Sequence, residues 1–196
     1  MLVFCELNRS LRDDPISKAK AALEKELGDK PQPLHNCRVS KRSRTFFEWL
    51  NSTQVRQTLV LCGHGTADTK TLGGYSALQV ANELNRQAVS SDDISVIRLY
   101  SCSVGDTPAS DQHNFAQQLV IELNKEDSAL KGVEVYAPMG LLFLYAVKSK
   151  DGLLLSWTWK VRRSNGVEIS LEEGMVPYAF NPSNPERPRG YIPPTL

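Results

Sequence analysis

The chain reads as an α/β fold, a mostly parallel sheet between helices with an antiparallel hairpin added late. Three observations lead there. Two apolar runs, residues 58–62 and 94–100, each pass directly into a reactive tip, Gly63-His64-Gly65 and Ser101-Cys102-Ser103. A helix-like stretch, residues 76–86, separates them, and such a strand–helix–strand unit closes as a right-handed parallel crossover. From residue 141 the alternation of α and β patterns gives way to β patterns alone.

Each element has a local reason. Residues 2–7 make an apolar opening strand. Pro15 suits the first turn of a helix, residues 16–27 carry apolar side chains at helical spacing, and Gly28 stops the run. After the Pro31-Gln32-Pro33 loop a short strand is expected at 37–39, then a helix around Phe46, Phe47, Trp49 and Leu50. Ser76 is the expected N-cap of the crossover helix, with Leu78, Val80, Ala81 and Leu84 as its buried stripe. A second helix is expected from Asp111 to about Lys125, burying Phe115, Ala116, Leu119, Val120 and Leu123. A strand at 133–137 follows, ended by Pro138. Residues 141–147 and 153–161 form the two arms of the hairpin across Lys148-Ser149-Lys150-Asp151-Gly152. The second arm alternates, with Leu155, Trp157, Trp159 and Val161 on one face. Trp157 and Trp159 read as core residues, bordering the cleft being the alternative.

Six of the eleven prolines lie from Pro177 onward, so no regular ladder or helix is expected there. The domain is drawn at 1–176 and a Pro-rich tail at 177–196, a linker or surface strap, or else a regulatory tail.

With 196 residues and a net charge of +1, the chain is long enough for a real core and its bulk charge selects no nucleic acid or other partner. No apolar run approaches the roughly 20 residues of a membrane span. Residues 1–12 lack the features of a cleaved signal, so the expected location is cytoplasmic. Cys5, Cys37, Cys62 and Cys102 are dispersed, and with His35, His64 and His113 they make no ligand-like spacing; free thiols are expected, and no metal.

The two tips carry the chemistry. Parallel neighbours lie ~4.8 Å apart, and the carboxyl edge of an open α/β sheet is where ligands bind. Cys102 is the candidate nucleophile and His64 the base that takes its proton, since a free thiol near pKa ~8.5 is scarcely ionised at neutral pH. Gly65 has no side chain, so its N–H can approach a substrate carbonyl and, with the N–H of Cys102, form an oxyanion hole. Cys62 is assigned to packing. His113 is the rival base.

Gly-His-Gly after an apolar strand, Gly73-Gly74-Tyr75-Ser76-Ala77 opening a helix, and x-Ser-Cys-Ser after the next strand together resemble the caspase-like cysteine peptidases of clan CD. Within that clan the chain looks most like the C80 type, the self-processing domains of large bacterial toxins. The likeness is close over residues 58–106 and extends to 161 only in the order of elements. The resemblance implies a caspase-like αβα sandwich and peptide hydrolysis through an acyl-enzyme, with His64 and Cys102 as the dyad and Gly65 as an oxyanion donor. It implies a protein or peptide substrate and a toxin or effector role, delivered to a host or neighbouring cytosol without a cleaved signal. In such peptidases the residue two before the nucleophile floors the P1 pocket; here it is Tyr100, which implies an uncharged P1. No cofactor is required, but inositol hexakisphosphate is the implied activator. Two basic knots are the candidates to hold it: Arg38, Lys41, Arg42 and Arg44, and Lys160, Arg162 and Arg163. Three other readings stay open: a caspase-like pseudoenzyme that binds or scaffolds, another cysteine-based transferase or hydrolase, and a phosphate-binding domain using Gly73-Gly74 at a helix start.

Overall fold

The computed structural model describes residues 2–7, 57–66, 70–86, 90–92, 94–106, 113–185 and 189–190. The expected helices at 16–27 and around Phe46, the strand at 37–39, and Arg38, Lys41, Arg42 and Arg44 lie outside those residues. The chain opens with β1 (Leu2–Leu7), β2 (Gln57–Gly63), β3 (Gly65–Thr66), β4 (Thr71–Leu72), α1 (Ala77–Arg86) and β5 (Ile94–Tyr100). It continues through α2 (Phe115–Leu123), β6 (Glu134–Pro138), β7 (Leu141–Lys148), β8 (Leu154–Arg162), β9 (Glu168–Ser170), α3 (Leu171–Gly174), β10 (Met175–Ala179) and β11 (Arg189–Gly190).

Six strands form the main sheet in the order β1-β2-β5-β6-β10-β11. The first four run parallel, β10 is antiparallel to β6, and β11 is antiparallel to β10. Because β2, β5 and β6 step across the sheet in one direction, right-handed crossovers put α1 and α2 on the same face. There Leu59 and Leu61 of β2, Ile97 and Leu99 of β5, and Val135 and Ala137 of β6 pack with both helices. The alternate residues Val60, Cys62 and Tyr100 pack on the other face against Trp159, Val161 and Leu171. Burial on both faces explains why β2 and β5 read as continuous apolar runs rather than alternating ones.

The fold is thus α/β, a mixed, mostly parallel sheet and a C-terminal antiparallel sheet with two helices packed in. Among the described residues, what covers the second face is the three-stranded sheet β7-β8-β9 and the short α3, where the expected sandwich had helices. An ion pair fastens that cover: Arg98 in β5 donates to both carboxylate oxygens of Glu172 in α3, at 2.8 and 2.7 Å.

Three local readings change. Leu78 does not belong to the buried stripe of α1, because it is 47% exposed while Ala77, Val80, Ala81 and Leu84 are buried. Positions 77, 80, 81 and 84 follow the i, i+3, i+4, i+7 spacing of one helical face, and position 78 falls off it. The second helix begins at Phe115, later than Asp111, because the Asn114 side chain accepts from the N–H of Gln117 and Gln117 answers in a capping box. Ser76 caps α1 in the same way, with Gln79 as its partner. Finally, the Pro-rich stretch does enter a ladder. Pro177 lies inside β10 opposite Tyr136, and β11 pairs with Tyr178 and Ala179. The β11 ladder stops short of Pro177, leaving it one neighbouring strand, a setting that tolerates a missing N–H.

Truncating Phe115 to alanine should lower stability by about 3–5 kcal/mol. Leu78→Ala should change it by no more than about 0.5 kcal/mol. Urea denaturation of the two variants checks the revised stripe.

Candidate active site

Strands β2 and β5 are neighbours in parallel register, with Cys62 opposite Tyr100. Each tip residue lies two positions further along, so the fold carries His64 and Cys102 to the same carboxyl edge of the sheet. His64 is exposed. Its backbone is anchored from behind, since the Gly73 N–H donates to the His64 carbonyl at 2.7 Å. Gly73 and Gly74 both take positive φ, 59° and 82°, and turn the chain from β4 back over the His64 loop before α1 begins. The Gly73 N–H is therefore committed to holding His64 rather than offered to a phosphate.

Gly65 is where the two tips meet. A β-carbon there would collide with the Cys102 carbonyl oxygen and the Ser101 hydroxyl, and would lie 2.7 Å from Cγ1 of Val104. The glycine is required by space: any side chain would push the His64 loop off the Cys102 turn. That turn is itself constrained. Ser103, directly after Cys102, adopts φ 55°, a conformation unfavourable for a residue with a side chain, and its N–H donates to the Gly140 carbonyl at 2.8 Å.

The Cys102 thiol is half-buried and lies against β7. The Leu142 N–H donates to Sγ at 3.3 Å, and the thiol donates to the Leu142 carbonyl at 3.7 Å. Burial pushes the thiol's pKa up; the Leu142 N–H opposes this and the charge of Asp106 adds to it. The balance disfavours the thiolate in this setting. Leu142 carries no sequence signal for this role, because it acts through its backbone.

The other candidate residues fall in different places. Tyr100 is 6% exposed and meets Trp159 edge-on, ring centroids 5.3 Å apart, beneath the hairpin. Cys62 is buried in the same cluster, consistent with packing. His113 precedes the cap of α2, and its carbonyl accepts from Gln118 at 3.3 Å. Lys160 and Arg162 lie on β8 with Arg163 just after it. Arg162 pairs with Glu168 at 2.6 Å and stacks over Phe143 at 4.3 Å, while Lys160 lies 5.8 Å from the Tyr145 ring centre. Beside the Cys102 turn lies a cavity of about 840 Å³ that runs from Ser103 and Asp106 past Gly140 to Arg163 and Glu173. Its lining carries both signs of charge. Among the described residues no group of three His, Cys, Asp or Glu side chains is placed to hold a metal, and no helix is long and apolar enough to cross a membrane.

The described structure thus sets an exposed imidazole and a half-buried thiol after adjacent strand ends, with Gly65 packed on the Cys102 turn. Residues 2–139 match the Peptidase C80 family. No curated protein and no solved structure matches the chain. The family match ends at Met139, so β7 to β11 and α3 lie beyond it.

Two outcomes are expected. Gly65→Ala should destabilise the fold by about 1–3 kcal/mol, as overpacking does, and change the alkylation rate of Cys102. In the unaltered protein the pH midpoint of Cys102 alkylation should lie above that of a free cysteine, about 8.5, because the raised pKa delays thiolate formation. A titration of iodoacetamide labelling followed by mass spectrometry reads both.

Proposed function

The chain belongs to the Peptidase C80 family, and we propose that it is a cysteine endopeptidase working through His64 and Cys102. The observation that carries this reading is the contact at Gly65, which seats the His64 loop on the Cys102 turn. His64 removes the thiol proton, and the thiolate attacks the scissile carbonyl carbon. The electron pair moves to the carbonyl oxygen, which the N–H groups of Gly65 and Cys102 receive. Collapse of the tetrahedral intermediate breaks the C–N bond, and imidazolium gives its proton to the leaving amine. Water, deprotonated by His64, then attacks the acyl-enzyme; the thiolate leaves and recovers the proton. The caspase-like αβα sandwich is the frame this mechanism assumes. Tyr100, backed by Trp159, supplies an apolar floor that favours an uncharged P1 residue.

For the thiol to react, it must leave Leu142. That same contact favours a second reading, a caspase-like module that binds without turnover, because a protonated and satisfied thiol is what an inactive relative would keep. A role in a toxin or effector acting in another cell's cytosol rests on the family alone. Inositol hexakisphosphate as activator rests on the basic side chains, of which Arg162 is already paired with Glu168.

Incubating a peptide library with the protein and its variants, read by mass spectrometry, separates the readings. The peptidase reading expects cleavage after uncharged residues, reduced by about 10²–10⁴ in His64→Ala, the range of general-base catalysis, and absent in Cys102→Ala. Cleavage identical in wild type and Cys102→Ala, or none in either, favours the binding module. Strict Asp or Arg at P1 would remove the role given to Tyr100. Adding inositol hexakisphosphate should raise both thermal stability and Cys102 labelling; no response in either removes it as an activator.

A further inference from the structure

The turn that carries the nucleophile ends at Gly105, and Gly105 is held from two directions by buried side chains. The Tyr178 hydroxyl in β10 donates to the Gly105 carbonyl at 2.8 Å, and Asn114 Nδ2 donates to the same oxygen at 3.0 Å. Asn114 Nδ2 also reaches the Tyr178 oxygen at 3.2 Å, closing a three-membered network. Both side chains are 4% exposed. The backbone around them is committed as well: Gly105 N–H donates to the Pro138 carbonyl at 3.2 Å, and Ala116 N–H donates to the Val104 carbonyl at 3.1 Å. Gly105 is pressed so closely on β6 that an added β-carbon would lie 2.8 Å from the Pro138 oxygen.

We propose that Tyr178, with Asn114, is a latch that positions Cys102. The proposal rests on the peptidase reading for its catalytic meaning. Tyr178 does not touch the thiol. It fixes the far end of the Cys102 turn, whose near end is fixed by β5 and whose middle rests on Gly65. A turn anchored at both ends keeps the sulfur in register with His64; a turn loose at Gly105 lets it swing. Two features make the arrangement more than ordinary packing. Two polar side chains meet at one carbonyl in a buried setting, where each hydrogen bond is stronger and each loss more disruptive than at the surface. The latch also joins residues distant in the chain: Tyr178 lies in the Pro-rich C-terminal region, beyond the family match that ends at Met139. This chain thus uses its C-terminal strand, held between β6 and β11, to steady a nucleophile that the matched segment supplies. Burial pushes the Tyr178 hydroxyl up to about 12, so it remains a donor across the working pH range.

The test compares Tyr178→Phe, which keeps the ring, and Asn114→Asp, which keeps an acceptor to cap α2 but cannot donate to Gly105. Each is measured for peptide cleavage, for the pH midpoint of Cys102 alkylation, and for the folded fraction by circular dichroism. The expected result is a kcat lowered about tenfold with KM unchanged, the loss of roughly one positioning interaction. It should come with an alkylation midpoint that moves down towards that of a free thiol, as the loosened sulfur swings out of its buried setting into water. Unchanged kcat and midpoint in both variants overturn the latch. A kcat that falls only with the folded fraction, at a constant midpoint, overturns it too. If the wild-type protein cleaves nothing, the peptidase reading fails; the alkylation midpoint then decides the latch alone, a downward shift supporting the hold on the Cys102 turn and no shift overturning it.

Discussion

The contact between Gly65 and the Cys102 turn is the constraint on which the site depends. Two parallel strands bring their tips to one edge, but strand pairing alone fixes only the spacing of the strands. What closes the last gap is the absence of a side chain at Gly65, where the carbonyl of Cys102 and the hydroxyl of Ser101 occupy the volume a β-carbon would take. The surrounding features support that approach. Gly73 holds the carbonyl of His64, Ser103 accepts an unfavourable φ, and Gly140 receives the Ser103 N–H. Backbone conformation is strained locally where the chain must turn directly after a buried strand, and the packed sheet beneath stabilises it.

The environment of Cys102 is shaped from outside its own strand. β7 lays the backbone of Leu142 along the sulfur, and its N–H partly offsets the burial that raises the energy of the thiolate. On the far side, β10 reaches across β6 to hold Gly105. His64, Gly65 and Cys102 follow parallel strands of the main sheet, whereas Leu142 comes from β7 of the three-stranded sheet and Tyr178 from the antiparallel strand β10. The division matches the extent of the family match, which contains the reactive residues and stops before β7.

Much of this was legible in the residues. The apolar runs at 58–62 and 94–100, the Ser76 cap, the stripe of Phe115, Ala116, Leu119, Val120 and Leu123, and the hairpin arms all appear as elements close to their expected bounds. These signals are local: hydrophobic period, turn residues and caps act within a few positions. The misreadings came where a second partner decides. Leu78 is apolar but lies off the face that α1 presents to α2 and the sheet. Asn114 falls inside the expected helix, although Asn-x-x-Gln is a cap signal, and its second task at Gly105 has no local signature. Pro177 signals an interruption, yet a strand with one paired edge accommodates it.

The sequence by itself determined the alternation of strands and helices and placed a histidine and a cysteine after consecutive buried strands, because period and punctuation are written residue by residue. It also marked Gly65 as exceptional, though for its N–H rather than for the space it leaves. Only the tertiary structure decided that Leu142 occupies the thiol, that Tyr178 belongs with the Cys102 turn, and that strands cover the second face of the sheet among the described residues. Those contacts join positions 40 and 73 residues apart through backbone atoms and a single hydroxyl. Such groups acquire their meaning from what the fold sets beside them.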